Sequence, residues 1–261
     1  MNDVANRGST VSGKHAVVTG GSRGIGAAVA RRLHAMGAKI TIIGRNQAAL
    51  AKARDTLEGS AYQVADVTDL ESVSTAFAAA SNHFGPVEIL INNAGAAQSA
   101  PFAKTNKALW DHMLAVNLTG IFHCQQQVIE PMRHARWGRI VNVVSTAGLI
   151  GYAYVAAYCA AKHGAIGLTR ALALEVAREG ITVNAVCPGF TETDLLEKSI
   201  KNIMGTTGRS REQAEKSLKA VNPQRQFIQP DEIATTVAWL CSSGSESITG
   251  QSIAVAGGEV T

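Results

Sequence analysis

Seven short apolar runs alternate with amphipathic stretches along nearly the whole chain, and nothing else in the sequence restricts the fold as strongly. The apolar runs are His15–Thr19, Lys39–Ile43, Tyr62–Val67, Val87–Ile91, Ile140–Val144, Ile181–Val186 and Ser252–Val255. Gly26–Met36, Gln47–Leu57, Leu70–His83, a long stretch from about Lys107 to Arg133, Ala156–Arg178 and Asp231–Cys241 read as the intervening helices. Strands joined through helices need crossovers rather than hairpins, which makes the sheet parallel and covers both of its faces. The expected fold class is therefore α/β: a doubly wound parallel sheet of about seven strands, helices on both faces and right-handed crossovers.

Composition agrees and removes other classes. The chain has 261 residues, 46% of them hydrophobic and only 17% charged, with 25 glycines. That suits one compact domain buried on both sheet faces, not a fibre, coiled coil or disordered chain. There is no internal linker or repeat, so residues 13–261 read as a single domain after a polar leader, expected to be mobile, over residues 1–12. A net charge of +4, with Lys and Arg scattered, argues against nucleic-acid binding. No apolar run reaches membrane-spanning length and the first residues lack a secretory apolar core, so the expectation is no membrane and a cytoplasmic location. Cys124, Cys159, Cys187 and Cys241 are far apart and read as buried thiols, and the seven histidines show no ligand spacing, so no metal is expected.

The first strand-to-helix turn carries Gly20, Gly21, Ser22, Arg23, Gly24, Ile25 and Gly26. Glycines at such a turn let the backbone approach a pyrophosphate, and the helix N-terminus supplies free N–H groups. The spacing is G-x-x-x-G-x-G, not the commoner G-x-G-x-x-G, but its place in the first βα unit marks a Rossmann-type dinucleotide site. At the end of the second strand, where NAD-selective sites hold Asp or Glu, stand Gly44 and Arg45. Arg45 together with Arg23 suits a 2′-phosphate, so NADP(H) is the expected cofactor, with NAD(H) possible.

Further along, Asn92-Asn93-Ala94-Gly95 follows the fourth strand, Ser145 ends the fifth, and Tyr158 and Lys162 stand four apart on the next helix, on one face. With the Asp66-Val67 pair, Asn117 and Pro188-Gly189, these residues resemble the short-chain dehydrogenase/reductase family over nearly everything from Gly13 to Gly258. The chemistry is consistent. Reducing a carbonyl needs a hydride on carbon and a proton on oxygen, and a Lys162 ammonium one turn from Tyr158 is expected to lower the phenol's pKa for that task. Ser145, a neutral donor, can hold the substrate oxygen without competing for the proton. Tyr152 and Tyr154 have no lysine four positions on and read as pocket wall or interface. His163, turned about 100° from Lys162, reads as structural.

The resemblance implies more. Ser145, Tyr158, Lys162 and Asn117 would be the catalytic set, with Lys162 also on the nicotinamide ribose and Asn117 in a water-linked proton path. Asp66, Val67, Asn93, Ala94, Gly95, Pro188, Gly189, Thr191 and Thr193 would line the cofactor, the last two at the nicotinamide carboxamide. The stretch from Pro188 to Gln229 reads as irregular and polar, and residues 190–229 as a substrate lid. Cys159-Ala160-Ala161-Lys162, the residues after it and Gly257-Gly258 look like the 3-oxoacyl-ACP reductase branch. That branch implies a homotetramer reducing a 3-oxoacyl thioester carried on acyl carrier protein or CoA. Arg133, His134, Arg136 and Arg139 form a basic cluster near where the family meets its carrier, or a helix end complementing its dipole. The alternatives are a dehydrogenase oxidising a hydroxyacyl-CoA, small alcohol or polyol, and a catalytically idle nucleotide-binding protein.

Overall fold

The computed structural model describes residues 11–260. Seven strands pair in parallel: β1 (His15–Thr19), β2 (Lys39–Gly44), β3 (Ala61–Val64), β4 (Ile89–Asn92), β5 (Gly138–Val143), β6 (Ile181–Pro188) and β7 (Ser252–Val255). Their spatial order is β3-β2-β1-β4-β5-β6-β7. Winding reverses between β1 and β4, which opens a crevice at the carboxyl edge of those two strands. Every strand runs the same way, so every strand end lies on that edge.

Alternation along the strands feeds two cores. Ala16 and Val18 of β1, Ile40 and Ile42 of β2, and Ile89 and Ile91 of β4 face one side. There they pack on α1 (Gly24–Ala35), α2 (Gln47–Arg54) and α9 (Pro230–Cys241). Val17, Ile43 and Leu90 face the other side and pack on α3 (Leu70–Phe84) and α5 (Gly120–Ala135). A smaller cluster of Val144, Ala185 and Cys187 joins α5 to α6 (Ala156–Glu175) through Ile121, Ala165 and Ile166. All four cysteines are buried and unpaired.

The structure departs from the sequence reading in four places. The mobile leader expected over 1–12 falls mostly on residues 1–10, which lie outside the described residues. Val11 is fully buried in the first core, so packing begins before Gly13. Strand β3 stops at Val64 because the chain then turns into Asp66, whose Oδ1 accepts from the N–H and hydroxyl of Thr68 at 3.0 and 2.8 Å. The stretch read as one helix from Lys107 to Arg133 is α4 (Lys107–Leu114), a π-helical turn (Ala115–Thr119) and α5. The π turn holds Asn117 and is the kind of insertion that re-aims a side chain. Finally, the stretch read as irregular, 188–229, contains α7 (Asp194–Thr207) and α8 (Arg211–Lys219). Its polar composition hid their short apolar faces. Leu196, Ile200, Ala214 and Phe227 form a separate small core there, and Ser210 with Gln213 makes a capping box on α8.

One strand layer below the carboxyl edge lies a buried polar network. Asn142 Oδ1 accepts from Asn92 Nδ2 at 2.9 Å and from Gln125 Nε2 at 3.2 Å, while Asn142 Nδ2 donates to Thr169 Oγ1 at 2.8 Å. It links β4, β5, α5 and α6. Removing its centre strands three buried partners at once. Asn142→Ala is therefore expected to lower the unfolding free energy by about 2–4 kcal/mol, measured by chemical denaturation.

Candidate active site

The glycine turn is held from beneath by the residues after β4. Thr19 Oγ1 accepts from the N–H groups of Asn93 and Ala94, both at 3.0 Å. Asn93 Nδ2 donates to the carbonyls of Thr19 and Gly20 at 2.9 and 3.2 Å. Gly20 sits at φ +64, and a Cβ there would stand 2.9 Å from Asn93 Nδ2. Only glycine allows both the left-handed backbone and this approach. Asn93, expected on the cofactor, also braces the turn by donating its Nδ2 hydrogens to the turn's own carbonyls.

Helix α1 starts at Gly24 with Arg23 as N-cap, no side-chain cap and no acidic residue in its first turn. Uncapped N–H groups, a positive helix end and glycines that let a ligand come close fit the pyrophosphate of a dinucleotide. Both arginines expected at a 2′-phosphate flank the turn, and each has a carboxylate neighbour. Arg23 Nη1 meets Asp194 Oδ2 at 3.0 Å, and Arg45 Nη1 meets Asp66 Oδ2 at 3.7 Å, all well exposed. Such surface pairs are weak and exchange easily for a phosphate. Burial acts to raise the Asp66 pKa, but Thr68 and Arg45 outweigh it and hold the carboxyl below its usual range. Val67 packs its side chain over Gly120, and its carbonyl bonds the His123 ring.

Ser145, Tyr158, Lys162, Asn117 and Gly95 converge at the same edge. The loop after β5 can drop onto α6 because residue 148 is glycine. A Cβ there would lie 2.8 Å from Val144 Cγ1 and 2.9 Å from the Lys162 carbonyl oxygen. Ser145 caps a 3₁₀ turn (Thr146–Gly148), its hydroxyl accepting from the Ala147 N–H at 3.1 Å, and its side chain favours the Tyr158 phenolate. Lys162, 4% exposed, donates from Nζ to the Val143 carbonyl at 3.2 Å, 5.6 Å from the centre of the Tyr158 ring. Asn117 is fully buried, donating from Nδ2 to Ala96 O at 2.8 Å and Met113 O at 3.0 Å. Its Oδ1 and the Lys162 ammonium both lie within 4 Å of where a Gly95 side chain would begin.

The expectation that Lys162 lowers the Tyr158 pKa is overturned here. Burial dominates both groups: it pushes the phenol up to about 12, against the pull of the Ser145 hydrogen bond, and Lys162 down to about 8. At this separation the ammonium does not offset the loss of water.

The strand end Pro188 leads into the 190–229 segment. Gly189 N–H donates to Val255 O at 3.1 Å, and the hydroxyls of Thr191 and Thr193 bond the carbonyls two residues back. Thr193 lies against Gly24, its Cγ2 3.1 Å from a Cβ position there, and Asn202 Nδ2 reaches Ser99 Oγ at 3.1 Å. The segment thus touches both the glycine turn and the loop after β4. His163 bonds the Cys159 carbonyl within its helix. In the basic cluster His134 and Arg136 are exposed, but the other two members are engaged. Arg133 is held by Glu130, Glu175 and Glu179, and Arg139 is 2% exposed beneath Trp137. It also sits where β5 begins, at the edge opposite the crevice. Among the described residues no helix is long and apolar enough to cross a membrane, and no group of three His, Cys, Asp or Glu could hold a metal.

A dinucleotide turn, a Ser-Tyr-Lys set and a seven-stranded parallel sheet define an oxidoreductase class. The short chain dehydrogenase family profile matches residues 14–203, and the chain belongs to that family, whose members act on CH–OH and C=O groups and bind NAD(P)H. It is 37% identical over 245 residues to D-beta-hydroxybutyrate dehydrogenase of Cupriavidus necator, covering 92% of this chain and 95% of that one. It is 39% identical over 249 residues to 3-oxoacyl-[acyl-carrier-protein] reductase FabG of Vibrio cholerae, covering 95% and 98%. Among solved structures, a variant of actinorhodin polyketide ketoreductase with NADPH superposes with a TM-score of 0.92 at 36% identity, over 94% of this chain and 97% of that one.

A lysine whose pKa is depressed by folding binds fewer protons in the native state. Native stability therefore rises with pH between about 8 and the ordinary lysine value of 10.5. Replacing the charge with an apolar side chain of similar length removes that burden. Lys162→Met is expected to raise stability at pH 7 by roughly 1–3 kcal/mol and to flatten the dependence above pH 8, checked by denaturation at several pH values.

Proposed function

We propose that the protein is an NADPH-dependent carbonyl reductase acting on a 3-oxoacyl thioester, carried on acyl carrier protein or CoA. The observation that carries this reading is the meeting of Ser145, Tyr158 and Lys162 beside the glycine turn, at the crevice where the strand order reverses. Bound nicotinamide would supply the hydride. Tyr158, its proton held by burial at neutral pH, donates to the forming alkoxide, which suits reduction. The Ser145 hydroxyl orients the substrate oxygen, and Lys162 stabilises negative charge as the phenol gives up its proton. Asn117, bonded to Ala96 and poised next to Lys162, holds the end of a proton path to solvent. The 190–229 segment serves as the lid, since it already bridges the glycine turn and the loop after β4.

Arg23 and Arg45, with Gly44 where an acid would stand, support NADP(H) over NAD(H). Exposed Trp110 and Phe122 near and on α5, and Leu174 on α6, support pairing of copies into a homotetramer. The second reading, a dehydrogenase oxidising a hydroxyacyl substrate, is favoured by the likeness to hydroxybutyrate dehydrogenase.

Tyr158→Phe is expected to cut the turnover number for acetoacetyl thioester about 10²–10⁴-fold while leaving NADPH affinity unchanged. Near-normal NADPH oxidation by this variant would sink the assignment. Arg45→Ala is expected to reduce the ratio of kcat/KM with NADPH to that with NADH by at least about tenfold, or about 1.4 kcal/mol. Initial rates with both nucleotides measure this.

A further inference from the structure

Next to Ser145 the chain builds a small acidic wall that no motif announces. Tyr152 hydrogen-bonds two groups: the hydroxyl of Thr146, adjacent to Ser145, at 2.8 Å, and Oε1 of Glu259 from the C-terminal tail. The other Glu259 oxygen, Oε2, is buried and has no hydrogen-bond partner. It lies 2.8 Å from where a Cβ on Gly189 would stand, at the strand end that opens the 190–229 segment. The Phe190 ring meets Tyr152 edge-on at 6.5 Å. The tail is itself wedged in place, with Gly257 against Asn222 and Gly258 against Pro223 at the base of that segment.

Thr146, Tyr152, Phe190 and Glu259 thus cluster between the Ser145 loop and the strand end that opens the 190–229 segment. Among the described residues no Lys or Arg pairs with Glu259, and burial raises its pKa against the pull of Tyr152. An anion brought here would find a carboxyl group and no cation, which like-charge contact and desolvation disfavour. An uncharged substituent would instead lie on the Tyr152 and Phe190 rings.

We propose that Glu259, held by Tyr152, is a specificity-determining residue: it rejects substrates bearing a free carboxylate near the carbonyl and admits 3-oxo esters and thioesters. This rests on the carbonyl-reductase reading of the Ser-Tyr-Lys site and narrows it. It separates the chain's chemistry from the free hydroxy acid named for one of its relatives, D-beta-hydroxybutyrate dehydrogenase.

The test compares acetoacetate with ethyl acetoacetate, the same ketone with and without the negative charge, using the full chain and NADPH. The wild type is expected to favour the ester in kcat/KM by at least about a hundredfold, and Glu259→Gln to narrow that ratio by at least about tenfold. Tyr152→Phe retains the carboxyl group and is expected to keep the discrimination, so loss of ordering alone does not mimic the effect. A wild type that reduces both compounds equally overturns the proposal, even should Glu259→Gln fail to fold. An unchanged ratio in a folded Glu259→Gln overturns it as well. Failure of the wild type on both ketones, with NADPH still bound, removes the carbonyl-reductase reading and this proposal with it, an outcome distinct from loss of selectivity alone.

Discussion

Backbone pairing in a sheet buried on both faces sets where every reactive group stands. A parallel sheet in a dry interior has to satisfy its amides strand to strand, and that holds β1, β4, β5 and β6 in one register. Their carboxyl ends then form one edge, and each end delivers a group there. Strand β1 ends in the glycine turn, β4 in Asn93 to Gly95, β5 in Ser145, and β6 in Pro188-Gly189. The opposite edge receives the strand starts. That is why the basic residues around Arg139 end up far from the crevice, with Arg133 folded into ion pairs and Arg139 into a ring contact.

Desolvation is the force that sets the chemistry at this edge. Lys162 is buried and Tyr158 partly so, and the loss of water moves them in opposite directions, each toward its neutral form. The pair is costly to the fold and, in the proposed reduction, useful because that reaction begins with a protonated phenol. Stability lost here is restored beneath it. The Asn92–Asn142–Thr169 network ties the strands that carry Asn93 and Ser145 to α6, which carries the tyrosine and lysine, so the reacting groups rest on a rigid base.

Much of this was legible in the residue order. The seven apolar runs, the glycine turn, the four-residue interval from Tyr158 to Lys162 and the burial of the cysteines come from local periodicity and residue type, which act over a few positions. The helices α7 and α8 were not legible, because their apolar faces are short and the surrounding Lys and Arg mask them. Nor was the π turn at Asn117, since one extra residue in a helix leaves the apolar pattern almost unchanged. That Asn93 braces the glycine turn was not legible either. Only the nearness of the Thr19 and Gly20 carbonyls in the fold reveals it.

Sequence alone determined the doubly wound parallel sheet, the place of the glycine turn after the first strand and the four-residue interval between Tyr158 and Lys162. Each depends on spacing along one strand or helix, where neighbours in sequence are neighbours in space. Tertiary structure decided what depends on atoms brought together from distant positions: the balance of burial over charge at Tyr158, the spending of Arg133 on three carboxylates, and the meeting of Tyr152 with Glu259 across 107 residues. Electrostatic energies vary with the dielectric and separation of the partners, and the fold creates both.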